Sequence, residues 1–400
     1  MTETTEPLAA SGGIRRDERR ALMVAGGAHL LHDGYTDLIY VMLPIWQPEF
    51  GLSYAAVGVL RALYAGTMAT FQIPATFAAE RLGATAVLAA GTALAGLGYM
   101  LAGVSPDLAV LVVALILGGL GSSTQHPLAS SLVAHAFAGP RSLKALGAYN
   151  FTGDLGKMTV PLTASLLLMV LPWRPTIAII GSAGIAVALC ILVLMPRVRP
   201  AAATTGDHAH AVAASAPRQR HGFPLLFSIG LIDSATRMAF LTYLPFLLTQ
   251  KGASIPTIGI ALTLVFAGGA AGKLACAFIG ARIGVIATVW LTEGLTTALI
   301  LALLPLRLEL GLVLLPLLGI GLNGTSSVLY GSVPVLVAPE RRARAFGIFY
   351  TGVIGSGAAA PVLFGLVGDA LGVPLTLAVI GLVPLLTLPL ALALRPSFAR

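Results

Sequence analysis

The chain has 400 residues, of which 57% are hydrophobic and only 10% are Asp, Glu, Lys or Arg. Soluble globular proteins carry roughly 25% charged residues, so the composition excludes a soluble fold and indicates a polytopic membrane protein. The net charge of +8 does not indicate nucleic-acid binding, because the basic residues lie before and between apolar stretches and form no single basic patch.

Twelve stretches are apolar over about 20 residues or more, the length that a helix needs to cross a bilayer. In the first half they are 22–49, 54–78, 84–104, 108–137, 144–171 and 175–195. In the second half they are 224–250, 255–280, 285–305, 309–337, 343–366 and 373–394. We therefore predict an all-α membrane protein with twelve transmembrane helices in two six-helix bundles, residues 22–195 and 224–395.

Three polar segments lie outside these bundles. Residues 196–223 are rich in Ala, Pro, Arg and His and are predicted to be a flexible linker, while residues 1–21 and 396–400 are predicted to be tails. With the N-terminus placed inside, 17 basic residues fall on the inner side and 3 on the outer side. Because cytoplasmic loops carry the excess of Lys and Arg, both tails and the linker are predicted to face the cytoplasm of a bacterial inner membrane.

Glycine, proline and charged residues recur about 200 positions apart. The matching pairs include Asp33 and Asp233, Pro44 and Pro245, Gly51 and Gly252, Gly58 and Gly259, Arg81 and Arg282, Gly83 and Gly284, and Arg141 and Arg341. Two similar halves in the same orientation predict pseudo-twofold symmetry and a substrate site between the halves near the membrane midplane.

The connection after the second span reads Glu80-Arg81-Leu82-Gly83 and resembles the gate motif of the major facilitator superfamily, with Glu80 in place of the usual aspartate. The second half keeps Arg282 and Gly284 of this motif. The resemblance covers nearly the whole chain. It implies a twelve-helix transporter that works by alternating access, with Glu80, Arg81 and Arg282 as gating residues.

Within that superfamily the chain resembles the fosmidomycin-resistance type of exporter. The resemblance is carried by residues 32–36, 50–54 with 57–61, 119–127 and 153–161. The chain departs from that type at Asp154, where asparagine is usual, and at Lys157, which has no obvious counterpart. The resemblance implies export.

Ionisable side chains inside the predicted spans mark candidate functional sites, since they are costly at the bilayer centre. The acids are Asp33, Asp37, Asp154, Asp233 and Glu293, the bases are Arg61, Lys157, Arg237 and Lys273, and the histidines are His29, His32 and His126. The near balance of acids and bases predicts that they pair.

The first span carries a polar face, because His29, Asp33 and Asp37 follow one another at intervals of four residues. Asp33 lies about 18 Å along the helix from the start of the span, near the midplane. Two carboxylates one turn apart repel each other, and burial disfavours their charged forms, so these three residues are predicted to couple transport to protons. In the alternative interpretation, Asp33 is permanently paired with Arg237 or Lys157 and supports packing.

The fifth and seventh spans each contain an acid and a base on one face. Asp154 precedes Lys157 by three residues, and Asp233 precedes Arg237 by four. These residues either form ion pairs within one helix or bind an anionic group of the substrate. Both spans line the central cavity in the resembled superfamily, which favours substrate binding.

Further predicted substrate contacts lie in the first, fourth and tenth spans: Tyr40, Gln125, His126, Asn323 and Tyr330. In the alternative interpretation, His126 satisfies the carbonyl group freed by Pro127, and Asn323 bonds to a neighbouring helix. Pro127 is predicted to kink the fourth span. Arg61 is expected either to extend outward to the membrane surface or to close an outer gate against Asp37. Glu293, in a span that is peripheral in the resembled superfamily, is predicted to be structural.

These patterns predict a secondary transporter for proton-coupled efflux, an antiporter for a small polar or amphiphilic molecule. The alternative is a proton symporter or facilitator that imports a small organic anion. No nucleophile with a positioned base can be identified, so an enzyme is not expected. The expected partners are the substrate, protons and the lipid bilayer, with no nucleic acid, cofactor or metal, and the protein is expected to be a monomer.

Overall fold

A computed structural model describes residues 8–137, 140–196 and 221–398, and all regular structure in these ranges is helical. The first half contains α1 (Leu8–Glu49), α2 (Tyr54–Leu82), α3 (Ala84–Gly103), α4 (Leu108–Ser122), α5 (Gln125–Ala136), α6 (Pro140–Leu167) and α7 (Trp173–Leu194). The second half contains α8 (Gly222–Gln250), α9 (Ile255–Ile283), α10 (Val285–Leu303), α11 (Leu308–Leu336), α12 (Arg342–Leu371), α13 (Val373–Leu382) and α14 (Thr387–Leu394).

These helices form the twelve predicted spans, because α4 with α5 and α13 with α14 each make up one span. Within the described residues, nine spans are long and apolar enough to be recognised by length and composition alone. The other three are α1, α2 and α6, which carry charged side chains inside the membrane segment. Short 3₁₀ segments at Pro339–Arg341, Val383–Leu386 and Arg395–Ser397 complete the second half.

The observed helix ends differ from the predicted ones mainly at α1. This helix begins at Leu8, so most of the predicted tail 1–21 is helical. The segment from Leu8 to Leu43 contains no proline, the residue that most disfavours a helix interior, and Pro44 and Pro48 lie in the last turns of α1. Residues 197–220 of the predicted linker and residues 399–400 lie outside the described ranges.

The fourth span breaks where the kink was predicted. Residues 123 and 124 form a turn between α4 and α5. Pro127 lacks an amide hydrogen, so it cannot donate to the carbonyl group of Ser123. Side-chain hydroxyls strengthen the turn, since Ser123 Oγ donates to Leu120 O at 2.6 Å and Thr124 Oγ1 to Gly121 O at 3.0 Å.

The repeated glycines occupy equivalent turns. Gly51 and Gly252 have φ angles of 61° and 85°, and Gly83 and Gly284 have 89° and 85°. Positive φ is accessible to glycine without steric cost, which explains why glycine occurs at both copies of each turn.

Contacts group the described residues into two compact units. The first comprises the chain up to Thr36, Thr70–Lys157 and the residues from Arg174 to the end of α7. The second comprises Asp37–Ala69, Met158–Trp173 and the helices α8 to α14. Parts of α1, α2 and α6 therefore pack with the helices of the second half.

Each unit has its own apolar core. In the first unit, buried residues of α1, α3, α5, α6 and α7 pack together, among them Ala25, Leu88 and Ile191. In the second, buried residues of α8, α10, α11, α12 and α14 do the same, among them Ile229 and Phe349.

Candidate functional site

A buried carboxylate, Asp33 of α1, lies at the centre of a polar cluster in the first unit. Its Oδ2 atom is 3.3 Å from Lys157 Nζ of α6. Its Oδ1 atom is 3.4 Å from His29 Nε2 of α1 and 3.7 Å from His126 Nε2 of α5. His29 and Asp33 are almost fully buried, whereas the side chain of His126 is 36% exposed. Three other predicted residues, on α1, α5 and α6, therefore meet at this carboxylate.

The ring of His29 is held in place by α6. Its Nδ1 atom lies 2.9 Å from Tyr149 O, and its ring stacks on that of Tyr149 with a centroid distance of 4.2 Å. Gln125 Nε2 donates to Tyr149 Oη at 3.4 Å, so this predicted substrate contact supports the tyrosine. Because a carbonyl group can only accept, His29 Nδ1 carries the hydrogen, and His29 Nε2 carries a lone pair in the neutral ring.

Two glycines of α6 allow α1 to come this close. A Cβ atom at Gly153 would lie 2.6 Å from the ring of His29 and 2.7 Å from Asp33 Oδ2. A Cβ atom at Gly156 would lie 1.9 Å from Leu30 O. The 153–161 stretch that carries the family resemblance thus brings Lys157 to Asp33.

His32, the neighbour of Asp33 in the chain, serves a different purpose. Its ring nitrogens lie 3.3 Å from Ser122 Oγ and 3.1 Å from Thr92 Oγ1, on α4 and α3. It therefore ties three helices together. Asp154, one turn before Lys157 on α6, is half-buried.

Three ligand-type atoms of the cluster, from His29, Asp33 and His126, lie within 4.8 Å of one another, a spacing that a metal ion could use. The ammonium group of Lys157 lies 3.3 Å from the same carboxylate and would repel a divalent cation. A proton adds less charge and needs only one of these atoms, so the cluster suits a proton better.

A second polar group lies around Arg61 of α2 in the second unit. Arg61 is 4% exposed, which excludes the expected extension to the membrane surface. Its Nη2 donates to Tyr40 Oη at 3.1 Å, and its guanidinium carbon lies 4.9 Å from the centroid of the Tyr40 ring. Tyr40 Oη contacts Met238 Sδ at 3.4 Å. Asp37 interacts electrostatically with both Arg61 and Tyr40. The outer gate between Arg61 and Asp37 therefore stays a prediction.

A third polar group joins α8, α10 and α11 in the second unit. Arg237 Nη1 donates to Asn323 Oδ1 at 3.4 Å, and within the described residues its Nε has no hydrogen-bond partner. The carboxyl groups of Asp233 and Glu293 are hydrogen-bonded to each other, and both residues are buried. Glu293 also bonds to Thr325.

The structure bears on two expectations from the sequence at this group. Among the described residues, Arg237 forms no ion pair within 4.0 Å, so the ion pair with Asp233 inside α8, one of the two alternatives, is not seen. The structural role of Glu293 stays a prediction, and its contact with Asp233 is the packing partner that the sequence did not identify. Helical spacing cannot reveal a contact between α8 and α10.

Tyr330 interacts electrostatically with Arg237 and Asp233 of the third group. Its ring packs against that of Phe349 at a centroid distance of 5.1 Å. The predicted gating residues Glu80, Arg81 and Arg282 are exposed. In the described part of the chain they take part in no ion pair within 4.0 Å.

One ion pair in the first unit was not predicted. Arg141 Nη1 of α6 donates to Glu18 Oε2 at 2.9 Å. Glu18 lies in the part of α1 that the sequence assigned to a tail, which is why the pair was missed.

Comparisons with known proteins agree with the fold. The family model of the Major Facilitator Superfamily matches residues 26–226 and 226–399. The fosmidomycin resistance protein of Escherichia coli K12 is 24% identical over 406 residues, which cover 96% of this chain and 96% of that protein. The multidrug resistance protein MdtL of Escherichia coli O127:H6 is 25% identical over 188 residues, which cover 47% of this chain and 48% of that protein.

Two solved structures share the fold at low sequence identity. A bacterial homologue of the human lysosomal transporter Spinster, in an inward-facing and unoccupied conformation, gives a TM-score of 0.79 at 15% identity and covers 96% of this chain and 98% of its own. A mutant of the nucleoside transporter NupG gives a TM-score of 0.76 at 13% identity and covers 96% of this chain and 100% of its own.

Proposed function

The chain belongs to the Major Facilitator Superfamily, and we propose that it exports a small polar or amphiphilic molecule in exchange for protons. The names of the two Escherichia coli relatives, both resistance proteins, support the direction of transport. In this proposal, residues 22–195 and 224–395 are the two bundles whose relative movement gives alternating access. Both termini and the linker 196–223 face the cytoplasm, as the positive-inside pattern indicates.

The cluster around Asp33 is the observation that supports proton coupling. His29 Nε2 carries a lone pair and faces Asp33 Oδ1, another acceptor, at 3.4 Å. A proton between these two atoms converts the contact into a charge-assisted hydrogen bond, which is about twice as strong as a neutral one. His126 Nε2, 3.7 Å from the same oxygen, offers a more exposed route for that proton. We assign the coupling proton to Asp33 with His29, and Asp37 remains the predicted second acid.

Exchange follows if the substrate and the proton compete for one carboxylate. A substrate group that is positively charged or donates hydrogen bonds binds the ionised form of Asp33 and not the protonated form. Binding of the substrate therefore releases the proton, and binding of the proton releases the substrate. The two couplings are equal in size, because linkage between two binding events is reciprocal.

A second function, the import of a small organic anion with a proton, is favoured by the contact of Asp33 with Lys157 at 3.3 Å. When Asp33 is protonated, its negative charge no longer competes with an anion for the ammonium group of Lys157. In that case the proton and the anion bind together and are transported in the same direction.

The proposed substrate contacts in the second unit centre on Arg237. Its guanidinium group has a long 3.4 Å hydrogen bond to Asn323, and its Nε is unpartnered among the described residues. An arginine with unused donors can bind a planar oxyanion through two hydrogen bonds. We retain as further proposed contacts the residues Tyr40, Gln125, His126, Asp154, Lys157, Asp233 and Tyr330.

The sign of the pH dependence separates the two functions. Purified protein is screened by thermal shift against metabolites and antibiotics, with fosmidomycin as the first compound, and the affinity of each ligand found is measured from pH 5.5 to 8.5. An exporter that works by competition binds more weakly as the pH falls. A symporter binds more tightly as the pH falls, because protonation of Asp33 removes the carboxylate charge that competes with the anion for Lys157.

The Asp33→Asn variant tests the residue itself, because asparagine keeps the shape of the side chain but cannot titrate. In proteoliposomes, it should lose uphill transport driven by a pH gradient and keep exchange of substrate for substrate. Asp17→Asn, an exposed position near the start of α1, is the control and should behave like the wild type. Wild-type uphill transport by Asp33→Asn would place the proton elsewhere.

A further inference from the structure

A carboxylate of α12 caps the N-terminus of α2. The amide nitrogens of Tyr54 and Ala55 donate to Asp369 Oδ1 and Oδ2 at 2.6 Å and 3.1 Å. The next amide, that of Ala56, donates to Ser53 Oγ at 3.2 Å. The first amides of a helix have no partner within the helix, and a negative charge is favoured there. The cap of α2 is therefore completed by a residue 315 positions away in the chain.

The two helices approach each other so closely that only glycine fits at their contact. A Cβ atom at Gly58 of α2 would lie 2.3 Å from Pro361 O of α12. A Cβ atom at Gly365 of α12 would lie 2.6 Å from Ala55 Cα of α2. Since these clashes involve backbone atoms, a larger side chain cannot be accommodated by a change of rotamer.

A tyrosine of α8 joins the same contact. Tyr243 Oη lies 3.2 Å from Tyr54 O of α2 and also bonds to Pro361 O of α12. The ring of Phe246 packs edge-on against that of Tyr54 at 5.5 Å. Three helices from the two predicted bundles are thus held together beside Asp369.

The internal repeat builds a similar glycine contact a second time. Gly259, the counterpart of Gly58, lies on α9, and a Cβ atom there would be 2.3 Å from Ser165 Oγ of α6. Thr263 of α9 donates to Met158 O of α6 at 3.0 Å. Both glycines of the repeated pair therefore lie where a helix of one predicted bundle meets a helix of the other.

We propose that Asp369 is a gating residue, a latch that holds the outer ends of α2 and α12 together and must release before the transporter can open outward. This inference rests on the proposed alternating access between the two bundles. Asp369 is exposed, so water can replace its hydrogen bonds when the helices separate. The net cost of breaking such bonds is small, which suits a contact that must open in every cycle.

The test measures the separation of the two helices. Spin labels are placed at two exposed positions, Val59 on α2 and Leu371 on α12, after replacement of Cys190 and Cys276 by alanine. Pulsed electron paramagnetic resonance then gives the populations of short and long distances in purified protein without added substrate.

Asp369→Ala should raise the ratio of long to short distances by about fivefold, the effect of losing one helix cap. Asp107→Ala is the matched control, because Asp107 caps α4 through Val110 N at 3.0 Å within the first half alone, and its ratio should not change. Asp369→Asn keeps one acceptor but loses the charge. Its ratio of long to short distances should lie between those of the wild type and Asp369→Ala.

A steric pair of variants tests the contact independently. Gly58→Ala should also favour the long distance, whereas Gly66→Ala on the same helix should not, since among the described residues no atom beyond the adjoining backbone of α2 lies within 4 Å of a Cβ atom at that position. If Gly58→Ala shifts the ratio and Asp369→Ala does not, Asp369 is only a helix cap and the latch is wrong. If neither variant shifts it, the helices do not separate at this contact. If the distances respond as expected but the wild type shows no transport driven by a pH gradient, the latch stands and the proposed proton coupling is wrong.

Discussion

Removing the charge of Lys157 should destabilise the protein in a way that depends on pH. Among the Lys and Arg residues of the described ranges, Lys157 alone lies within 4.0 Å of Asp33. Lys157→Gln keeps much of the side chain's length but leaves the buried carboxylate without its counter-charge. At high pH the carboxylate is ionised in the folded variant, so the free energy of unfolding should be lower than that of the wild type.

The size of the effect follows from the burial of the two groups. Removing one partner of a fully buried ion pair costs about 3–5 kcal/mol. The side chain of Asp33 is 11% exposed but that of Lys157 is 30% exposed, so water offsets part of the loss. We expect a loss of about 2 kcal/mol at pH 8.5, between the values for surface and buried pairs.

The loss should shrink as the pH is lowered. A proton that binds to Asp33 in the variant removes the buried charge that has lost its counter-charge, so the stability of the variant relative to the wild type rises as the pH falls.

Unfolding by sodium dodecyl sulfate in mixed micelles, followed at pH 5.5 and 8.5, measures these free energies. Lys144→Gln, an exposed lysine on the same helix, is the control and should change stability by less than about 0.5 kcal/mol. In the double variant with Asp33→Asn, most of the loss should disappear, since a neutral amide needs no counter-charge. If the losses of the two single variants add up to the loss of the double variant within about 0.5 kcal/mol, the two residues are not coupled.

Three further predictions follow from the remaining charges. Asp37→Asn should keep transport driven by a pH gradient in proteoliposomes, at a reduced rate, because the proton is assigned to the neighbouring acid. Arg237→Lys should weaken substrate binding at least about tenfold in a binding assay, since lysine cannot replace a two-bond contact whose truncation costs about 2–5 kcal/mol, while Arg19→Lys on the exposed part of α1 should not. A cysteine beside Asp107 should react with an impermeant thiol reagent from outside the cell and one at Ala213 should not; the reverse pattern would overturn the topology.

The twelve spans and the family could be predicted from the sequence. Length and apolar composition are properties of each segment alone, and a membrane-spanning helix satisfies its own backbone hydrogen bonds, so spans can be identified one by one. The twelve-helix fold and the resemblance to the fosmidomycin-resistance type are confirmed by the structure and by the matched relative. Pro127 was a local signal too, and its span breaks beside it.

Contacts within one helix were also predictable, whereas contacts between helices were not. The spacing of His29 and Asp33 placed them on one face of α1, and the structure shows them 3.4 Å apart. Arg237 had an acid at the same spacing, yet its hydrogen bond goes to Asn323 of α11. Spacing shows which residues can meet along a helix, but the neighbouring helices decide which partner lies closer.

The sequence by itself determined that this protein crosses a membrane, how often, and which ionisable residues lie within the spans, because hydrophobicity and helical period are local quantities. Only the tertiary structure decided that Lys157 and His126 meet at Asp33, that Glu293 joins Asp233, and that Asp369 caps α2. Each of these contacts joins helices far apart in the chain. Their geometry depends on how closely the backbones approach, which at Gly153 and Gly58 is set by the absence of a single Cβ atom.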